Sequence, residues 1–187
     1  MPYRSAVAKV RTPRSAWIDV ALQALAAGGP EAIRIEALAG ELGVTKGGFY
    51  WHFKDRQTLL DEMLDAWEKA GTDDIIARVN SHPGDPRTML RQLFELAPSR
   101  ERFAVELALR DWARRDKAVA ERVQRVDTRR MDYVRSLFGR FCKDRDDVEV
   151  RCLLVYSLVI GGFMIAADHG KRTRTEVMQL AAEHLLR

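Results

Sequence analysis

Residues 43–56 read GVTKGGFYWHFKDR, a stretch that sets two consecutive glycines, Gly47 and Gly48, among four aromatic residues. Each glycine weakens a helix by about 1 kcal/mol relative to alanine. The aromatic side chains, which need a large surface to pack against, are Phe49, Tyr50, Trp51 and Phe53. The combination indicates a short helix that is anchored by aromatic rings on one face and open to a close partner on the other.

Helical periodicity continues along nearly the whole chain. Apolar residues recur at the spacing of a helix face, and no segment alternates polar and apolar residues for long enough to predict a strand. The chain has 187 residues, 47% of them hydrophobic and 31% charged, which suits a folded core in one or two domains. We therefore predict an all-α protein of about nine helices.

Caps and stop residues locate the predicted helices. The first begins after Thr12-Pro13 and ends at Gly28, and the second ends at Gly43. Thr45 and Asp55 have the side chains to cap the third and fourth helices. The later helices are predicted over residues 89–96, 103–112, 119–141, 150–167 and 175–186.

The second and third predicted helices are short and are joined by a tight glycine turn, which is the layout of a helix-turn-helix. Steps of 100° per residue from Phe49 place Phe53, Thr45 and His52 near the same inner face and Tyr50 on the flank. The same steps point Gly47, Gly48 and Trp51 outward. On a face turned to DNA, glycines let the backbone come close to base edges or phosphates.

Because glycines have no side chain, reading of base edges falls to two neighbours. Lys46 can donate to guanine acceptors or to phosphates, and the ring of Trp51 can meet a thymine methyl group. The residues positioned to hold phosphates are Thr45, Tyr50, His52 and Lys54. Core packing is the alternative for His52 and Tyr50, and a solvated charge is the alternative for Lys46.

The span from about Arg14 to Leu60, above all IRIEALAGELGVTKGGFYWHFKDRQTLL, resembles the DNA-binding domain of the tetracycline-repressor (TetR) family of bacterial regulators. The resemblance implies a homodimer bound to double-stranded operator DNA, with a C-terminal ligand pocket and dimer interface. It also implies repression that ends when a small molecule binds. The DNA contacts it implies are Thr45, Lys46, Tyr50, His52 and Lys54. Many members carry a small hydroxyl residue or alanine at the position of Gly48, so that side-chain contact is absent here.

We predict two domains. Residues 1–56 form a basic arm and the helix-turn-helix domain, and residues 57–187 form the ligand-binding and dimerisation domain. The arm, MPYRSAVAKVRTPRS, carries four basic residues: Arg4, Lys9, Arg11 and Arg14.

The second domain is expected to bind an apolar or amphipathic effector. The effector would lie in a hydrophobic cavity between helices, and Asp111 or Arg110 would supply a polar group to that cavity. The predicted ligand-binding residues are Trp67, Phe103, Asp111, Trp112 and Tyr133, with plain core packing as the alternative for each.

Residues 152–167, CLLVYSLVIGGFMIAA, are apolar all the way round a helix. Sixteen residues fall short of the ~20 that span a bilayer, so we expect burial against protein rather than membrane. The last segment, TEVMQLAAEHLLR, also has an apolar stripe, and pairing both helices with their copies in a second chain gives a four-helix bundle. Gly161 and Gly162 would allow close approach between the copies, with local packing inside one chain as the alternative.

Several classes of function are disfavoured. Cys142 and Cys152 form no CxxC pair, so neither a disulfide framework nor a metal site is predicted, and we expect no cofactor. The motifs HExxH and GxSxG, a P-loop and a glycine-rich dinucleotide turn do not occur, which argues against an enzyme. A net charge of +4 is modest and by itself favours neither nucleic acid nor a membrane. Cysteines without a disulfide framework fit a reducing cytoplasm, and the N-terminus has no secretory signal, so we expect a cytoplasmic protein. The alternative function is a TetR-like helical module that binds a partner without DNA.

Overall fold

The computed structural model describes residues 12–96 and 98–187. Regular structure in these ranges is helical apart from an isolated bridge between His169 and Arg172, which confirms the all-α prediction. The described ranges hold nine α-helices when the unbroken helical run from Arg56 to Asn80 counts as one. Most of the predicted basic arm lies outside the described residues.

The helices are α1 (Arg14–Gly28), α2 (Ile35–Glu41), α3 (Lys46–Tyr50), α4 (Arg56–Glu68), α5 (Asp74–Asn80), α6 (Pro86–Glu95), α7 (Arg100–Ala113), α8 (Lys117–Phe138), α9 (Arg145–Met164) and α10 (Arg174–Leu185). A 3₁₀ turn, Pro30–Ala32, follows α1, and a π-helical segment, Lys69–Asp73, joins α4 to α5. Neither was predicted, because both are too short to alter the apolar periodicity.

Caps explain where several helices begin. Asp55 accepts hydrogen bonds from the backbone N–H and the hydroxyl of Thr58, at 2.8 and 2.9 Å, which confirms it as the cap of α4. Thr45 occupies the N-cap position of α3, but its side chain makes no capping bond. Helix α9 begins well before the predicted residue 150, because Asp144 caps a charged first turn that has no apolar pattern.

The chain divides by its contacts into two compact units, residues 1–66 and 67–187. In the first unit α1 packs on the 3₁₀ turn and on α2, and α2 packs on α3. Its fully buried side chains include Trp17, Leu25, Ile33, Leu38, Phe49, Phe53, Leu59 and Met63. This division falls inside α4, ten residues after the predicted boundary at residue 56. The predicted boundary separates DNA-binding from ligand-binding functions, and it stays a prediction.

In the second unit α8 is the central helix and packs against α6, α7, α9 and the π segment. Its hydrophobic core includes Leu90 of α6, Phe138 of α8 and Cys152 of α9, all fully buried. Helix α10 packs on α6 and α9. Among the described helices, none combines the length and apolar character needed to cross a bilayer.

Candidate functional site

Helix α3 is anchored by aromatic rings on its inner face. Phe49 and Phe53 are buried and stack on each other with ring centroids 5.1 Å apart, and the indole of Trp17 meets Phe49 edge-on at 5.4 Å. On the outer side Trp51 is 72% exposed and Tyr50 is 53% exposed. These positions confirm that Phe49 and Phe53 face inward and that Trp51 faces outward. Thr45, predicted near the inner face, is instead exposed, because it precedes the first turn of α3. Two large aromatic side chains side by side in solvent are typical of a binding surface.

The two glycines of α3 do not face the same way. Gly47 is exposed, and a Cβ atom there would have the Thr45 hydroxyl oxygen as its nearest neighbour, at 3.6 Å. At Gly48 a Cβ atom would lie 3.8 Å from Val44 and 3.9 Å from Trp17. The prediction that Gly48 points outward was therefore wrong. The 100° steps describe α3 by itself, so they do not show that the indole of Trp17, in α1, lies along this side of α3.

Lys46 does not present a free ammonium group. Its Nζ forms an ion pair with Glu36, in the first turn of α2, and both side chains are more than half exposed. The hydrogen bond from Lys46 lowers the pKa of the Glu36 carboxyl group, and the same bond raises the pKa of Lys46. Lys46 can therefore bind a DNA phosphate or base only if its ion pair with Glu36 breaks. This pairing was not predicted from the sequence.

The predicted phosphate-binding residues lie along the exposed side of α3 and just after it. Thr45, Tyr50 and Lys54 are exposed, and the hydroxyl of Thr45 is not used as a helix cap. His52 is half-buried, with its ring 6.3 Å from that of Phe53. Thr45 precedes α3 while His52 and Lys54 follow it, and His52 is the most buried of the four.

Arg14 is a positioning residue that the sequence analysis placed in the basic arm. It begins α1, and its Nε donates to Oε2 of Glu62 in α4 at 2.6 Å. A second N–H donates to the backbone carbonyl of His52, and the guanidinium lies 4.4 Å from the ring centroid of Phe53. The bond to Glu62 raises the pKa of Arg14 and lowers that of Glu62. Arg14 therefore ties the start of α1 and the middle of α4 to the end of the α3 region.

The N-terminal part of the chain is similar to a known family of proteins. Residues 18–63 match the model described as bacterial regulatory proteins, tetR family. The HTH-type transcriptional regulator AcrR of Shigella flexneri is 33% identical over 76 residues, which are 41% of this chain and 35% of that protein. Over residues 18–63 the chain is thus similar to the tetR family of bacterial regulatory proteins. The match spans about a third of the length of this curated relative.

Solved structures extend the likeness in fold to most of the chain. A transcriptional regulator from Rhodococcus sp. Rha1 superposes with a TM-score of 0.70 at 18% identity, over 94% of both chains. PfmR from Thermus thermophilus, a TetR-family transcriptional regulator, gives 0.66 at 19% identity, over 91% of this chain and 96% of that one. AibR, solved with isovaleryl coenzyme A and operator DNA, gives 0.67 at 16%, over 92% and 97%. At these identities the likeness shows the fold alone. The family is one of regulators rather than enzymes.

The residues predicted to bind a ligand lie in different surroundings. Trp67, Phe103 and Trp112 are buried, and Phe103 stacks on Phe163 with ring centroids 4.1 Å apart. Tyr133 instead packs against the core that contains Leu90 and donates its hydroxyl to Asn80 at 2.7 Å. Asp111 is exposed and pairs with Arg115 at 2.9 Å, so its carboxylate faces solvent. The assignment of these five residues to a ligand site stays a prediction. Among the described residues, no cluster of His, Cys, Asp and Glu has the geometry to hold a metal ion.

A half-buried polar cluster occupies the middle of the second unit. Arg110 forms two bonds to Asp127, at 2.8 and 2.9 Å, and a third to Glu106 at 2.6 Å. Tyr156 donates its hydroxyl to the same Asp127 at 2.7 Å. Burial raises the pKa of Tyr156 to about 12, so the hydroxyl keeps its proton at neutral pH. Burial opposes the charge of Asp127, yet the bonds from Arg110 and Tyr156 hold its pKa below the usual value.

Arg130 joins this cluster to the π segment. Its guanidinium pairs with Glu106 at 3.2 Å and donates from Nε to the buried hydroxyl of Thr72 at 2.9 Å. The indole N–H of Trp67 donates to Glu106 at 3.0 Å. Two members of this cluster, Trp67 and Arg110, were predicted from the sequence, as ligand contacts. Their bonds to each other's neighbours were not predicted, because helical spacing alone does not show which charges meet in three dimensions.

Proposed function

We propose that this chain is a ligand-responsive transcriptional repressor of the tetR family that binds operator DNA as a homodimer through α3. The observation that carries the proposal is the two-sided character of α3. Phe49 and Phe53 hold it to the domain while Tyr50 and Trp51 stand in solvent. A helix anchored in this way is suited to enter a major groove as a rigid body. The proposal places the protein in the cytoplasm, with its operator.

In this proposal some residues of the α3 surface recognise bases, and others bind phosphates and so contribute affinity. Lys46 exchanges Glu36 for a phosphate or a guanine, and Trp51 contacts a thymine methyl group. Contacts to phosphates set the register, and the residues assigned to them are Thr45, Tyr50, His52 and Lys54. The exposed Gly47 leaves room for the backbone to come close to DNA.

Pairing of two chains is supported by exposed apolar residues on α9 and α10. Val150 is 54%, Leu153 62% and Leu180 51% exposed, and large exposed apolar side chains of this kind are available to a second chain. A Cβ atom added at Gly161 would have only Ile165 within 4 Å, at 3.8 Å, which leaves space for a second chain. At Gly162 an added Cβ atom would lie 3.0 Å from the sulfur of Met178, which supports local packing instead.

The effector is proposed to be a small apolar or amphipathic molecule. AibR, a protein of the same fold, was solved with isovaleryl coenzyme A and operator DNA together, which supports one chain serving both ligands. Release of DNA requires that the effector bind one conformation more tightly than the other, and the coupling must be reciprocal. Titration of candidate ligands against Trp fluorescence, with and without operator, measures that coupling. A ligand with the same affinity in both titrations is not an inducer.

The DNA proposal is tested with Lys46→Ala and Tyr50→Phe. Both variants should bind a selected genomic operator fragment more weakly while the unfolding temperature changes little. Lys46→Ala should also reduce the slope of log affinity against log salt by about one per half-site. The matched control is Lys69→Ala, an exposed lysine of the π segment that pairs with Asp74.

Unchanged affinity in both variants would remove Lys46 and Tyr50 from the interface. If no fragment of the source genome gives a salt-dependent mobility shift with the wild-type chain, the alternative of a helical partner-binding module replaces the proposal.

A further inference from the structure

An open groove of about 580 Å³ runs along α8 beside the C-terminal end of α7. Its volume lies within the range of small-molecule sites. The floor is apolar and at least half-buried, and its side chains are Ala113, Ala120, Val123 and Met131. The exposed rim is polar and consists of Arg114, Gln124, Thr128 and Asp132. The groove therefore has the two-sided chemistry of a site for an amphipathic molecule.

Most charges around the groove are already neutralised. Asp127 is paired with Arg110, and Asp132 is paired with Arg135, which also binds Glu149 at 3.0 Å. Arg114 makes no ion pair with any residue in the described ranges, and its side chain is exposed at the rim. The groove thus presents one uncompensated positive charge beside an apolar floor.

We propose that this groove binds an amphipathic carboxylate. The hydrocarbon chain lies on the floor against Val123 and Met131, and the carboxylate binds the guanidinium of Arg114. A guanidinium donates two parallel N–H bonds to a carboxylate, and the amide of Gln124 supplies a further donor on the same rim. A neutral molecule leaves Arg114 unmatched, and a cation is repelled by it. This inference rests on the proposed function, because it names the chemical class of the effector.

The groove shares two residues with the polar cluster of the second unit. Arg110 and Asp127 line it and at the same time bind Glu106 and Tyr156. Glu106 in turn holds Arg130, which bonds to Thr72 in the π segment. A ligand that moves Arg110 therefore acts on the contacts that fix the π segment within this unit.

The test uses decanoate below its micelle concentration and the full chain without DNA, with binding measured by calorimetry. Decanoate should bind saturably, and decanol and decyltrimethylammonium should bind at least about tenfold more weakly. Arg114→Gln should lower decanoate affinity about tenfold. Arg115→Gln is the matched control, because it removes the same charge one residue along, outside the groove. Circular dichroism of both variants verifies folding.

Equal affinities for decanoate and decanol, an unchanged affinity in Arg114→Gln, or a loss as large in Arg115→Gln would overturn the inference. Operator binding is measured separately. A chain that binds operator but not decanoate overturns the groove assignment and leaves the proposed function in place. A chain that binds decanoate through Arg114 but binds no operator supports the groove and overturns the proposed function.

Discussion

At the residue scale, Gly47 and Gly48 are neighbours with different surroundings, and alanine separates their roles. Both substitutions should raise the free energy of unfolding by about 0.5–1 kcal/mol, because alanine favours the helix. At Gly48 the new methyl group meets Val44 and Trp17 at ordinary contact distances of 3.8 and 3.9 Å. At Gly47 it projects into the proposed DNA interface. Gly47→Ala should therefore weaken operator binding, and Gly48→Ala should not.

Thermal unfolding and operator titration of the two alanine variants check this expectation together. Equal losses of operator affinity in both would show that Gly48 also faces the DNA, against the position found here. No loss in either would show that close backbone approach at Gly47 is not used.

Glu36 is the second feature at the residue scale, because it places a carboxylate beside the proposed DNA surface. Its lowered pKa keeps it ionised at neutral pH, and its charge is lost only as the pH falls through that value. Glu36→Gln frees Lys46 and removes a repulsive charge, so operator affinity should rise by about threefold or more at low salt. Glu41→Gln, at the exposed far end of α2, is the matched control. An equal rise of operator affinity in both variants would show that the effect comes from net charge alone and not from the pairing with Lys46.

At the element scale, Arg14 holds α1, α4 and the end of the α3 region in register. Arg14→Lys keeps the charge but loses the fork that bonds Glu62 and the carbonyl of His52. We expect a loss of about 1 kcal/mol in the stability of the N-terminal unit, since both side chains are partly exposed. Operator affinity should fall as well, because α3 loses a support.

A double-mutant cycle with Glu62→Gln separates this clamp from two independent effects. The combined loss in Arg14→Lys/Glu62→Gln should be smaller than the sum of the single losses. Strict additivity in both the unfolding and operator titrations would show that the two residues do not act through each other.

At the scale of the whole molecule, the proposed function requires that two chains pair to bind the operator. Leu180→Glu puts a charge on the exposed apolar surface of α10, so it should give monomers in sedimentation and a large loss of operator affinity. Gln179→Glu adds the same charge on the neighbouring exposed residue and is the control. The wild-type footprint should contain two half-sites separated by about 34 Å or a multiple. Wild-type chains that sediment as monomers at all concentrations, or protect a single half-site, would contradict this arrangement.

Local chemistry is enough to predict much of this molecule. The all-α class, the short helices around residues 43–56 and the cap at Asp55 all follow from periodicity, glycine stops and capping side chains within a few residues. The exposure of Trp51 and the burial of Phe49 and Phe53 follow from 100° steps along one helix. These features depend on neighbours in the chain, and a single sequence contains those neighbours.

The tertiary structure alone decided which distant residues meet. Gly48 is covered by Trp17, Lys46 is held by Glu36, and Arg14 reaches Glu62, 48 positions away. The same holds for the bond from Arg130 to Thr72 and for the groove along α8. The physical reason is that exposed charges tolerate many partners at similar free energy, so no local pattern selects one of them. The packing of whole helices makes that selection, and it fixes both the α3 surface and the groove.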